Sequence, residues 1–390
     1  MKRSRLALLL GVILVLSLLP AFFALPQWFD ANTNSVIPDR LISVSGEARA
    51  LHNTLRVVDF HDDLLLWNRD PLQKHARGHT DVPRLLEGRT AVQVFSAVTK
   101  SPRGLNYESN TGDSDNITLL AILQRWPPNT WRSRLQRALH QSRRLHDAAR
   151  ASNGALTLVR SGSELDGFLA KPNAGSTALA GILAIEGLHA LDGRLDNVDT
   201  LYAAGYRLMG LTHFFDNEVA ASAHGVSKAG LTELGRQVVR RMEELRVVVD
   251  LAHLAPAGVS EVLDMATRPV VVSHTGVQAT CPGPRNLSDD QIRRIAANGG
   301  IIGIGYWDGA VCEPGARSTA RAIRHVATIA GVQHVALGSD FDGATKVPFD
   351  ASQLVQMTQA LKEEGFTDSE IRGIMGDNAI RFLRDNLPPQ

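Results

Sequence analysis

Four histidines and four carboxylates stand out in this sequence because each lies at the end of a short apolar run. His61 and Asp63 close "VVDFHDD", Glu186 closes "GILAIEG", His213 ends "YRLMGLTH" and His253 ends "VVVDLAH". His274 sits in "PVVVSHT", and Asp340 and Asp342 close "HVALGSDFDG". One strand-end histidine is ordinarily a hydrogen-bonded structural residue. Six strands that end this way are different, because clustered imidazoles and carboxylates suffer desolvation and mutual repulsion unless a cation offsets them. Nitrogen and carboxylate donors without thiolates suit zinc, with manganese or cobalt as alternatives. His61 and Asp63, two apart on a strand, point the same way and can chelate one ion. His253 and His274, on adjacent strands, can hold a second, and Glu186 lies between the pairs in strand order, where it can bridge both. Two zinc ions bridged by a carboxylate hold a hydroxide and polarise a carbonyl, which is the chemistry of hydrolysis.

The elements that must position these groups are legible as apolar or β-branched runs separated by amphipathic segments. Besides the six above, runs at 90–98 and 300–307 bring the expected strands to eight, the others spanning 55–61, 181–187, 206–213, 247–253, 269–275 and 334–343. Helical patterns fall at 130–151, 231–245 and 287–299, the last opening with Ser288 and Gln291 at capping-box spacing. Strands alternating with helices imply parallel pairing, and eight such units predict a closed (β/α)8 TIM-like barrel of the metal-dependent hydrolase type. Its strand ends converge on one face. The rival open sheet lacks support, since no glycine-rich phosphate loop follows the first strand.

A length of 390 residues suits two ordinary domains or one large barrel. With 41 basic against 40 acidic residues there is no electrostatic case for nucleic acid, so small molecules are the expected partners. The N-terminus differs in kind: "MKRSR" precedes a run from Leu6 to Phe29 with no charged residue. That pattern fits a signal peptide or an uncleaved anchor. No clear cleavage site follows, and Trp28 resembles an interfacial end, so residues 1–30 are expected to be a transmembrane signal anchor, 31–54 a linker and lead-in, and 55–390 the barrel. The positive-inside rule then leaves the N-terminus cytoplasmic and the catalytic domain periplasmic on the inner membrane, secretion after cleavage being the alternative. The two cysteines, Cys281 and Cys312, follow the sixth and seventh strands. Loops at the same end of neighbouring strands allow a disulfide; two isolated buried thiols are the other reading.

The segments "DFHDD", "IEGLHAL", "LTHFFDNEVAASAHG", "VVVDLAH", "VVVSHTGVQATCPGPRNLSDD" and "VALGSDFDG" resemble, in order, the signatures of the membrane (renal) dipeptidase family, the M19 metallopeptidases of the amidohydrolase superfamily. "TDVPRLLEGRTAVQVFSA" and "GDNAIRFL" extend the resemblance from about residue 55 to 385. It implies zinc-dependent hydrolysis of small dipeptides, with the two ions held by His61, Asp63, Glu186, His253 and His274. It further implies that His213 steadies the oxyanion, Arg285 grips the substrate carboxylate and Asp340 is the acid/base. Asn217 is expected at the substrate amine, with His189 and His224 in support and Asp342 structural. Relatives that tailor exported peptides, as in siderophore maturation, give the alternative function. A lactonase or deaminase of the same superfamily fits less well, since those usually carry His-x-His on the first strand. The resemblance is weakest over 101–180, a segment expected to cover the mouth of the site. A homodimer is a further expectation, since such barrels commonly pair.

Overall fold

The computed structural model describes residues 24–390. Its strands are β1 (Val57–Asp62), β2 (Thr90–Val98), β3 (Leu156–Leu158), β4 (Leu179–Glu186), β5 (Tyr206–Gly210), β6 (Val248–Asp250), β7 (Val271–Thr275), β8 (Ile301–Ile304) and β9 (Val335–Leu337). All pairings between them are parallel. Neighbours run β2-β1-β9-β8-β7-β6-β5-β4, and a β2–β4 pairing closes the ring. The result is the (β/α)8 barrel.

Each barrel strand is buried along its whole length, which is why the runs read as continuous apolar stretches rather than alternating ones. Helices cover the outside and begin where the sequence places caps. Ser288 and Gln291 form the expected capping box on Asp289–Ala297, which buries Ile292 and Ile295. Thr232 caps Glu233–Glu244 and Ser133 caps Arg134–Ala151.

Two features depart from the sequence reading. A ninth strand, β3, pairs with the beginning of β4 outside the ring, from Leu156↔Leu179 to Leu158↔Gly181. Three residues are too few to carry a period. Several strands also end early: β5, β6 and β9 stop at Gly210, Asp250 and Leu337, three residues before His213, His253 and Asp340. Asp250 shows why, because its carboxylate accepts from the backbone of Ala252 and Ser273 and so replaces ladder bonds.

Most of the uncharged run Leu6–Phe29 lies outside the described residues. Among those described, no helix is long and apolar enough to cross a membrane. Residues 24–33 are helical and 31–54 lie against the barrel. Asp30 is buried and pairs with Arg69 at 3.1 Å and Arg77 at 2.9 Å, Val36 bridges to Val347, and the amide of Ile42 donates to Gln356.

Asp342 locks the loop after β9 from below. It accepts from Thr80 Oγ1 at 2.6 Å and the His79 amide at 2.7 Å, and pairs with Arg69 at 2.5 Å. Burial opposes its ionisation, but Arg69, His79 and Thr80 outweigh burial and hold the carboxyl below its usual range. A depressed carboxyl contributes stability above its unfolded pKa, and that contribution is lost as pH falls through the folded value. Asp342→Asn leaves Arg69 with a weakened partner and is expected to lower stability by about 3 kcal/mol at neutral pH. Denaturant midpoints measured for both proteins should converge as pH drops below about 4.

Candidate metal centre and substrate pocket

The barrel brings the strand-end groups together around Glu186, the last residue of β4. Its Oε1 lies 2.6 Å from His253 Nε2 and 3.2 Å from His274 Nε2. Its Oε2 faces the other way, 3.8 Å from His61 Nε2 and 3.4 Å from His213 Nε2. Asp63 Oδ1 and Asp340 Oδ1 approach His61 Nε2 at 3.5 and 3.9 Å. Three overlapping groups have donor atoms within 4.8 Å of one another: His61, Glu186 and His274; Glu186, His213 and His253; His61, Asp63 and Asp340.

Local structure aims each donor. β1 carries His61, and Asp63 begins the 3-10 turn Leu64–Leu66. Asp59, one turn of the pleat before His61, accepts from the His61 amide and from the amide and hydroxyl of Ser339, tying β1 to the Asp340 loop. The Ser273 hydroxyl meets His274 Nδ1 at 2.9 Å and turns Nε2 toward the cluster. Gly187 takes φ 91° directly after Glu186, and a Cβ there would meet the His189 ring at 2.4 Å. His253 and Asp340 both adopt left-handed backbone, φ 61° and 59°. Such conformations are uncommon in L-residues and concentrate at functional sites.

The buried groups perturb one another. Burial disfavours charge on His61, yet Asp63, Glu186 and Asp340 push its imidazole up to about 10. Burial, reinforced by the charges of Asp63 and Glu186, holds Asp340 well above the carboxylate range. Burial likewise raises Glu186 and keeps His253 and His274 neutral. Neutral His253 and His274 are in the form that binds metal, while an ion at His61 would displace its proton. His61 Nε2, Asp63 Oδ1 and Glu186 Oε1 are also buried without a hydrogen-bond partner, so the donor set fits divalent metal.

Arg285 is buried beside the cluster. Its Nη2 donates to the His274 carbonyl at 2.6 Å, its Nε has no partner, and its guanidinium lies 5.4 Å from the Trp307 ring. His213 rests its Nδ1 against the Lys100 carbonyl at 3.3 Å, leaving Nε2 toward Glu186. His189 meets the Thr99 hydroxyl, and His224 stacks on Phe214 while holding the Tyr107 carbonyl, so both support the site.

Asn217, expected at the substrate amine, has its side chain engaged in its own loop. Its amide donates to the Leu211 carbonyl and its oxygen accepts from the amides of Val219 and Ala220, which uses the side chain to fold its own loop. Tyr107, by contrast, went unread in the sequence. It lines the cavity with Arg285 and Trp307, and burial together with the charges of Asp308 and Asp340 raises its phenol. The only signal was one aromatic residue in the polar stretch "NYESNTGDSDN", and the longer segment 101–180 around it lines the cavity through Leu105, Ile117 and Leu120.

Cys281 and Cys312 form a disulfide that joins the loops after β7 and β8 across 31 residues. The Cys281 carbonyl accepts from Asn286, the neighbour of Arg285, so the bridge steadies the arginine's loop. Replacing both cysteines with serine is expected to lower unfolding free energy by about 4 kcal/mol, from loop closure of this length. Denaturation of the oxidised protein beside the double variant measures it.

A closed parallel barrel with imidazoles and carboxylates gathered at the C-terminal ends of its strands defines a metal-dependent hydrolase. The comparisons narrow the class. The model of the membrane dipeptidase family, peptidase family M19, matches residues 45–387, and the chain belongs to that family. An uncharacterized dipeptidase of Schizosaccharomyces pombe is 30% identical over 355 residues, covering 84% of this chain and 80% of that protein. Dipeptidase aclJ of Aspergillus oryzae is 28% identical over 362 residues, covering 84% of this chain and 78% of that protein. A metallo peptidase of Rhodobacter sphaeroides, solved with a phosphinate mimic of the dipeptide L-Ala-D-Ala, shares the fold at a TM-score of 0.73, with 24% identity over 85% of this chain and 99% of that one. The enzyme is a hydrolase of the metallo-dipeptidase class.

Proposed function

We propose that this enzyme cleaves small dipeptides with two zinc ions, one of which His61 and Asp63 would hold and the other His253 and His274, with Glu186 as the ligand they would share. The observation that carries the reading is the division of Glu186's two oxygens between those pairs, at 3.8 Å from His61 and 2.6 Å from His253. Such a cation pair supplies Lewis-acid polarisation of the peptide carbonyl and makes water nucleophilic at neutral pH.

The chain's own groups do the rest. Arg285 offers its unpartnered edge to the substrate carboxylate, a contact that a guanidinium makes in bidentate fashion. Asp340 would take the proton of the attacking water and return it to the leaving amine. His213, its Nδ1 against the Lys100 carbonyl, turns Nε2 toward the cluster, where it is placed to steady the charge developing on the carbonyl oxygen.

The uncharged run Leu6–Phe29 anchors the chain in a membrane in this reading, with "MKRSR" on the cytoplasmic side and the barrel outside. The Cys281–Cys312 disulfide supports an oxidising compartment for the barrel. Hydrolysis of L-Ala-D-Ala and L-Ala-L-Ala by the full chain, with and without chelator, tests the activity. Chelator-sensitive cleavage restored by zinc is the expected result. Bound metal without cleavage of either would replace dipeptide hydrolysis with peptide tailoring.

A further inference from the structure

The active site opens through a cavity of about 1040 Å³, at the upper end of the size that holds drug-like ligands and larger than two small residues fill. Its mouth is apolar. Nine large hydrophobic side chains are exposed among the described residues, and five of them, Leu25, Phe29, Ile37, Leu105 and Leu119, line this one opening. Trp28, 62% exposed, stands on the same helix as Leu25 and Phe29, at helical spacing from Leu25. Leu119 is 55% exposed although its helix Asn116–Leu123 buries Ile117, Leu120 and Ala121 on the inner side. Segments far apart in the chain thus place apolar side chains on one rim, and a patch of that kind marks a contact surface.

The N-terminal part of the rim is fixed to the catalytic loop. Asp30 pairs with Arg69, Arg69 pairs with Asp342, and Asn34 accepts from the Ala344 amide at 2.9 Å. The run Leu6–Phe29 carries no charged residue and its last six residues belong to this helix; the 18 before it, 6–23, come close to the roughly 20 that cross a bilayer. A chain that leaves lipid where this helix begins leaves it beside the mouth.

We propose that the active-site mouth faces the bilayer, with Leu25, Trp28, Phe29, Leu105 and Leu119 resting at the lipid interface. Tryptophan favours that depth, and Arg40 and Lys346 line the cavity together with Asp39 and Asp308, charges of both signs that suit zwitterionic headgroups. Peptides then reach the metal centre along the membrane surface. The inference rests on the anchor reading and adds an orientation to it.

Reconstituting the full chain in phosphatidylcholine vesicles with brominated acyl chains tests the orientation. Leu105→Trp, Leu119→Trp and, as a control before β1 at the opposite end of the barrel from His61, Asn53→Trp each add one fluorophore, read as the difference from the parent protein; Asn53 is exposed. Circular dichroism confirms that each variant is folded. Quenching of the added emission at 105 and 119 several-fold above that at 53 supports the proposal. Co-flotation with vesicles and equal quenching at all three positions overturns it while leaving the anchor intact. Failure to float overturns the anchor and the orientation together.

Discussion

Glu186→Ala is expected to lose metal and turnover together, with kcat/KM falling by more than about 1,000-fold. Its two oxygens face different histidines, His253 and His274 on one side and His61 and His213 on the other. Removing it would deprive two bound ions of a shared ligand, whereas losing an outer histidine would weaken one. A structural role predicts something else. Burial raises the Glu186 carboxyl, so in metal-free protein its ionisation opposes folding at neutral pH. The chelated variant should therefore unfold at the same denaturant concentration as chelated parent protein, or higher, while zinc stabilises only the parent. Elemental analysis and unfolding with and without zinc measure both halves.

Asp340→Asn is expected to lower kcat by about 1,000-fold while KM and metal content stay close to the parent values. The substitution keeps shape and removes the proton carrier. It also keeps the backbone, because asparagine tolerates the left-handed φ of 59° that Asp340 adopts, and the Thr345 hydroxyl still donates to the residue 340 carbonyl. Steady-state kinetics on L-Ala-D-Ala beside zinc analysis checks this. A variant that lost its metal would make Asp340 a ligand instead.

The donors were legible in the sequence for a physical reason. Barrel strands are buried on both faces, so any charged residue at their ends interrupts an apolar run, and the parallel topology puts all such ends on one face. That logic located His61, Asp63, Glu186 and His274 in or beside β1, β4 and β7. It placed His253 and Asp340 at the right end of the barrel but on strands that were too long, since their left-handed turns leave no periodic signal. Asn217 looked available because its neighbours match a functional segment; three hydrogen bonds within its own loop commit it elsewhere. Tyr107 lies in a stretch without strand or helix periodicity and the apolar rim is gathered from segments far apart in the chain, so only the folded chain shows that they meet at the site.

The central claim is a two-metal centre bridged by Glu186. Elemental analysis of the purified full chain, with the Glu186→Ala variant alongside, tests it most directly. The account predicts two divalent ions per chain in the parent, zinc foremost, and their loss from the variant. A parent chain that binds no metal, or a variant that keeps both ions, would contradict it.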